Sequence, residues 1–103
     1  MTTEDFIEDL ISMGVKAYRK LNKNTVEGRK LSRHETVTIE GYEFTGWREY
    51  ATFKTGEYIK SVLPESNIEV TLDGNNSTIS VEMSNEEQQL LNNKMYIFLK
   101  KYI

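Results

Sequence analysis

Hydrophobic and polar positions alternate most strictly between Asn67 and Met83, in NIEVTLDGNNSTISVEM. Ile68, Val70 and Leu72 alternate with Glu69 and Thr71. Beyond the DGNNS cluster, Ile79, Val81 and Met83 alternate with Ser80 and Glu82. Period two on both sides of an Asp-Gly-Asn-Asn turn predicts a β-hairpin with one apolar face and one polar face. A lone hairpin is marginal in water, so helices from elsewhere in the chain must cover the apolar face. Upstream, Phe6, Ile7, Leu10, Ile11, Gly14, Ala17, Tyr18 and Leu21 recur at helical spacing and predict a helix from about Thr3 to Leu21. Thr2 or Thr3 caps it, and Glu4 and Asp5 sit where the helix dipole favours anions. Gly14 inside the stripe costs about 1 kcal/mol against alanine, which points to a close contact there.

LNKNTVEGRKLSRH reads as a polar connection holding at most one short turn, and ETVTIEG as a short strand ended by Gly41. Residues 42–54 read two ways. Tyr42 and Phe44 alternate with Glu43 as a strand would, whereas Trp47, Tyr50, Ala51 and Lys54 have helical spacing. We expect two short helices, about 42–51 and 54–63, the second stopped by Pro64. Ser84, three residues before Glu87, is a capping-box signature opening a last helix over 85–102. Its stripe is Leu91, Met95, Phe98, Leu99 and Tyr102. The fold class expected is α+β, in a single domain over 1–103.

With 103 residues and no cysteine, the chain is expected to bury one core without disulfides. Thiol nucleophiles and cysteine-ligated zinc are excluded. The acidic amphipathic start is unlike a signal peptide and no apolar run spans a bilayer, so a cytoplasmic protein without membrane contact is expected. Abundant Asn, Lys, Ile and Glu with only two alanines is the bias of an AT-rich coding sequence, as in a low-GC bacterium or its phages. Net charge is −3, unevenly distributed: residues 16–34 hold seven cations against Glu27 alone, and residues 35–103 hold six cations against eleven anions.

The element order helix, strand, helix, helix, hairpin, helix resembles a winged helix-turn-helix domain, with its core at about 35–83 in VTIEGYEFTGWREYATFKTGEYIKSVLPESNIEVTLDGNNSTISVEM. Flanking helices over 3–21 and 85–102 match winged-helix proteins that pair through terminal helices. The resemblance implies that Lys54, Thr55, Glu57, Tyr58 and Lys60 lie on or near a groove-entering helix and that Asp73 to Ser77 form a wing tip. The sequence departs from a duplex reader there: the helix stretch has no arginine for guanine edges, and the tip carries no cation.

Lys16, Arg19, Lys20, Lys23, Arg29, Lys30 and Arg33 are the best candidates for a phosphate-tracking surface, with Lys54 and Lys60 added by the resemblance. Cations also complement helix C-termini, which accounts for part of the cluster. Tyr42, Phe44, Trp47, Tyr50, Phe53 and Tyr58 are either a stacking platform for single strands or core, with Tyr42, Tyr50 and Tyr58 the most exposed of the set. His34 is the only histidine and reads as a loop residue, since neither a catalytic triad nor a metal site can be built on it alone. Catalytic motifs and cofactor-binding loops are absent from the sequence, so no enzyme and no cofactor is expected. Two functions remain. One is a nucleic-acid-binding accessory or regulatory protein of a phage or mobile element, its partner single- or double-stranded DNA, or RNA. The other is a protein-binding inhibitor with an acidic surface and a host-protein partner. In size and composition the latter is similar to phage counter-defence proteins such as anti-CRISPRs. Under either, a homodimer through the C-terminal helix is expected.

Overall fold

The computed structural model describes residues 3–101, apart from the Leu99 side chain. The elements run α1 (Thr3–Asn22), α2 (Val26–Ser32), β1 (Val37–Ile39), β2 (Tyr42–Phe44), α3 (Trp47–Val62), β3 (Ile68–Thr71), β4 (Thr78–Val81) and α4 (Asn85–Lys100). The fold is α+β, with two separate antiparallel hairpins, β1–β2 and β3–β4. Among the described residues, no helix is long and apolar enough to cross a membrane.

The spine is the crossing of α1 and α3. Gly14 lies at the contact, where a β-carbon would stand 3.4 Å from Thr55 Oγ1 and 3.6 Å from Ala51 Cβ, ordinary van der Waals distances that leave room for a methyl group. On one side of the crossing, Phe6, Ile7, Leu10 and Ile11 of α1 meet Ile59, Leu63, Ile79, Leu91 and Met95. On the other, Tyr18 joins Leu31, Val37, Phe44, Trp47 and Tyr50. Tyr50 is the hub of this second cluster, with edge-on contacts to Tyr18, Phe44 and Trp47 at centroid separations of 5.5, 5.3 and 6.2 Å.

The late hairpin is formed, with Ile68 opposite Val81 and Val70 opposite Ile79. Its apolar face packs only in part. Ile79 is buried beside the first cluster, while Val70 and Leu72 remain 39% and 37% exposed. Gly56 of α3 lets β3 approach, since a β-carbon there would lie 2.6 Å from Val70 Cγ2. The capping box of α4 is formed as read: Glu87 N donates to Ser84 Oγ at 3.1 Å and Ser84 N to Glu87 Oε1 at 2.9 Å.

Three expectations are corrected. The connection after α1 holds a real helix, α2, capped by Thr25, whose Oγ1 accepts from Gly28 N at 2.9 Å. Residues 42–44 are a strand, joined to β1 by a two-residue turn in which Glu40 and Gly41 both have positive φ, 55° and 85°. And 47–62 is one continuous helix rather than two. The apparent break came from Thr52, Thr55 and Gly56, which are polar or small yet face the core. Thr52 tolerates burial because its hydroxyl donates to Arg48 O at 2.7 Å. With one helix between the hairpins, the helix-turn-helix unit of the winged-helix resemblance is not formed.

The presumed wing tip does not project either. It contains a short 3-10 turn (Gly74–Asn76) and is tied to the start of α3. Gly74 N donates to Glu49 Oε2 at 2.8 Å, and Glu49 Oε1 accepts from Thr45 N at 2.6 Å. Arg48 donates twice to Ser77 O, at 3.1 and 2.9 Å, and grips Glu8 of α1 with two further bonds of 2.7 and 2.8 Å.

Candidate nucleic-acid interface

The buried stripe of α1 ends in Ala17 and Tyr18, which turns Lys16, Arg19 and Lys20 outward, with Lys23 following in the turn beyond the helix. These four cations and Ser32 line one open hollow of about 400 Å³. Ser32 is brought there by the joint between α1 and α2. Asn22 Nδ2 donates to Tyr18 O at 2.9 Å, and Thr25 Oγ1 donates to Asn22 O at 2.8 Å. Gly28 fits against this joint only because it has no side chain: a β-carbon would lie 1.9 Å from Asn22 O. Leu31 then anchors α2 in the second cluster. Trp47 Nε1 donates to Ser32 Oγ at 2.8 Å, fixing the wall of the hollow. A smaller hollow of about 250 Å³ shares Arg19 and Ser32 and adds His34, Trp47, Arg48 and Asn75.

The other predicted cations are placed differently. Arg29 is exposed and Lys30 half-buried on α2, outside the lining of the first hollow. Arg33 is paired with Glu35, whose hydrogen bond lowers the Glu35 pKa and raises that of Arg33. Lys54 lies between Glu40 at 3.5 Å and Glu57 at 3.4 Å. Burial alone would push its ammonium down, but Tyr50, Glu40 and Glu57 outweigh that and its pKa is raised. Lys60 donates to Ser66 O at 2.9 Å near the end of α3. Among the described residues, carboxylates pair with Arg33, Arg48 and Lys54, and with none of Lys16, Arg19, Lys20, Lys23, Arg29 or Lys30.

The aromatic set is core rather than platform. Phe44, Trp47 and Tyr50 are buried, and burial pushes the phenols of Tyr18 and Tyr50 up. Of the three tyrosines expected nearest the surface, Tyr42 is exposed but leans on Phe53 at 4.7 Å, Tyr58 is half-buried and Tyr50 is not exposed. His34 is an exposed loop residue with φ 58°. Among the described residues, no group of three or more His, Cys, Asp or Glu is placed to hold a metal ion.

Sequence reasoning missed Arg48 and Glu49, the two side chains that fix the hairpin tip. Glu49 stands three residues after Gly46, the N-cap of α3, and that spacing becomes a signal once the helix start is known. On α4, Leu91 and Met95 are consumed by the core, leaving Leu90, Tyr96 and Ile97 exposed. Tyr102, the last residue of the stripe on the helix expected to pair two copies, lies outside the described residues. Comparison with protein-family models, with curated proteins and with solved structures found no match.

Proposed function

We propose that the chain is a small non-enzymatic nucleic-acid-binding protein, accessory or regulatory in kind, that holds phosphates in the hollow beside the C-terminal half of α1. The observation that carries this reading is the convergence of Lys16, Arg19, Lys20 and Lys23 on one hollow with no carboxylate paired to any of them among the described residues. From Lys16 to Lys23 the helical rise is about 10 Å. At about 3.4 Å per phosphate along one strand that length covers about three intervals, and so about four phosphates, one for each cation. Arg29 and Lys30 extend the positive surface along α2. Because the neighbouring rings are in the core, contact is with the backbone and carries little sequence information. The AT-rich coding bias supports a phage or mobile-element setting.

The test is fluorescence anisotropy on labelled single-stranded DNA, duplex DNA and RNA across a salt series. Four phosphate contacts give a log–log salt slope of about −2.8 on a single strand or −3.6 on a duplex. Affinity then falls roughly 50- to 150-fold between 50 and 200 mM salt. Reversing Lys16 and Lys20 together to glutamate abolishes binding, whereas reversing Lys60, whose ammonium is bonded within the chain, changes it little. No binding to any of the three at 20 mM salt rejects the proposal.

A further inference from the structure

A second surface lies away from the cations, along the outer edge of β4. Among the described residues the sheet β3–β4 has two strands, so β4 pairs on one side alone. In such a strand alternate residues aim their backbone N–H and C=O groups away from the partner. Among the described residues, no backbone hydrogen bond reaches 78–83 from outside the hairpin. Beside this edge runs a hollow of about 860 Å³, walled by α1 and by residues 78–83. Its floor is apolar, with Ile7, Ile11 and Ile79 buried and Val81 and Met83 half-buried.

Four carboxylates stand around it, Glu4, Asp5, Glu8 and Glu82, and among the described residues no lysine or arginine lines it. Glu8 shares its charge with Arg48, so the negative potential rests chiefly on the exposed Glu4 and Glu82. The adjoining hollow, which contains Ser80 and Glu82, adds Glu65, Glu69 and Glu87 and again no cation.

We infer that the β4 edge is a docking site for an extended, basic segment of a partner protein, which adds to the hairpin as a third strand. Main-chain bonds to β4 supply affinity, and the alternation of the added strand supplies selectivity. Its inward side chains meet the half-buried Val81 and Met83, and lysines or arginines at its ends reach Glu4 and Glu82. Residues 78–83 extend about 20 Å at the usual strand rise, room for five or six residues of peptide. A second copy pairing edge to edge through β4 would bring its own Glu4 and Glu82 against these, which disfavours that occupant.

The probe is a fluorescein-labelled heptapeptide of alternating lysine and valine, measured by anisotropy against the full chain at low salt. Two companion peptides carry glutamate in place of lysine, or N-methyl groups on alternate backbone nitrogens. Expected are saturable binding of the lysine peptide, at least tenfold weaker binding of both companions, and slowed amide exchange within 78–83 in the complex. Glu82→Lys, an exposed change, weakens the lysine peptide about tenfold, while Lys16→Glu leaves it unchanged or tighter. The inference is overturned by no binding, by equal binding of the N-methylated or glutamate peptide, or by an unchanged affinity in Glu82→Lys. Sedimentation showing a concentration-dependent dimer that protects 78–83 also overturns it, because the occupant is then a second copy.

Discussion

Replacing Arg48 with alanine removes one guanidinium that fastens the late hairpin to two helices. Its side chain is 17% exposed, against 55% for Glu8. Two of its bonds go to Ser77 O, and Ser77 is fully buried. Alanine leaves that carbonyl without its donor, and an unmet buried acceptor costs about 1–3 kcal/mol. Losing the half-exposed pair with Glu8 adds about 0.5–1 kcal/mol. The expected loss is therefore about 1.5–4 kcal/mol, a fall in Tm of roughly 6–30 °C for a domain of this size.

Urea denaturation followed by circular dichroism measures the loss directly, and Glu8→Gln separates its two parts. That variant keeps the bonds to Ser77 O and is expected to cost no more than about 1 kcal/mol. pH supplies an independent check. The hydrogen bond from Arg48 holds the Glu8 carboxyl below the usual range, against a small opposing effect of burial. A carboxyl whose pKa is lower folded than unfolded stabilises fully above the unfolded value, about 4.3. That contribution is lost as pH falls through the folded value, and Arg48→Ala should lack this segment of the acid limb. A loss below 1 kcal/mol, or one equal to that of Glu8→Gln, would refute the claim that Ser77 O depends on Arg48.

Gly28→Ala drives a β-carbon into Asn22 O and should cost more than about 2 kcal/mol, since backbone must shift; the same variant should bind DNA more weakly because Ser32 leaves the hollow. Thr55→Val replaces the one buried side-chain polar atom that lacks a partner among the described residues, and thermal denaturation should show a gain of about 1 kcal/mol. Glu40→Asn suits the positive φ of the β1–β2 turn and should stabilise by about 0.5–1 kcal/mol in urea, less the weak contact to Lys54; a loss would mean that contact matters more than the turn.

The candidate site was partly legible in the sequence. Lys16, Arg19, Lys20 and Lys23 are spaced at three, four and seven residues, so a helix alone brings them to one side. Removing Arg33 and Lys54 from the set needed tertiary knowledge for Lys54, whose partner Glu40 arrives by a hairpin turn fourteen residues earlier. For Arg33 the partner is two residues away, but nothing in the local pattern requires that pair to close. The β4 edge was hidden for another reason: a hairpin sequence states which faces are apolar and says nothing about what lies beside its outer strand.

The sequence by itself determined α1, the β3–β4 hairpin and the capped start of α4, because each follows from signals within a few residues: helical spacing, strict alternation, and a serine three before a glutamate. It could not determine that 47–62 is a single helix, since between Ala51 and Ile59 its buried side is built of Thr52, Thr55 and Gly56. Those residues read as core only when Gly14 and Val70 are seen pressed against them. Nor could it place the hairpin tip, which Arg48 and Glu49 hold across sequence separations of 29 and 25 residues. Local periodicity reports which side chains avoid water; only the closed chain decides which of them meet.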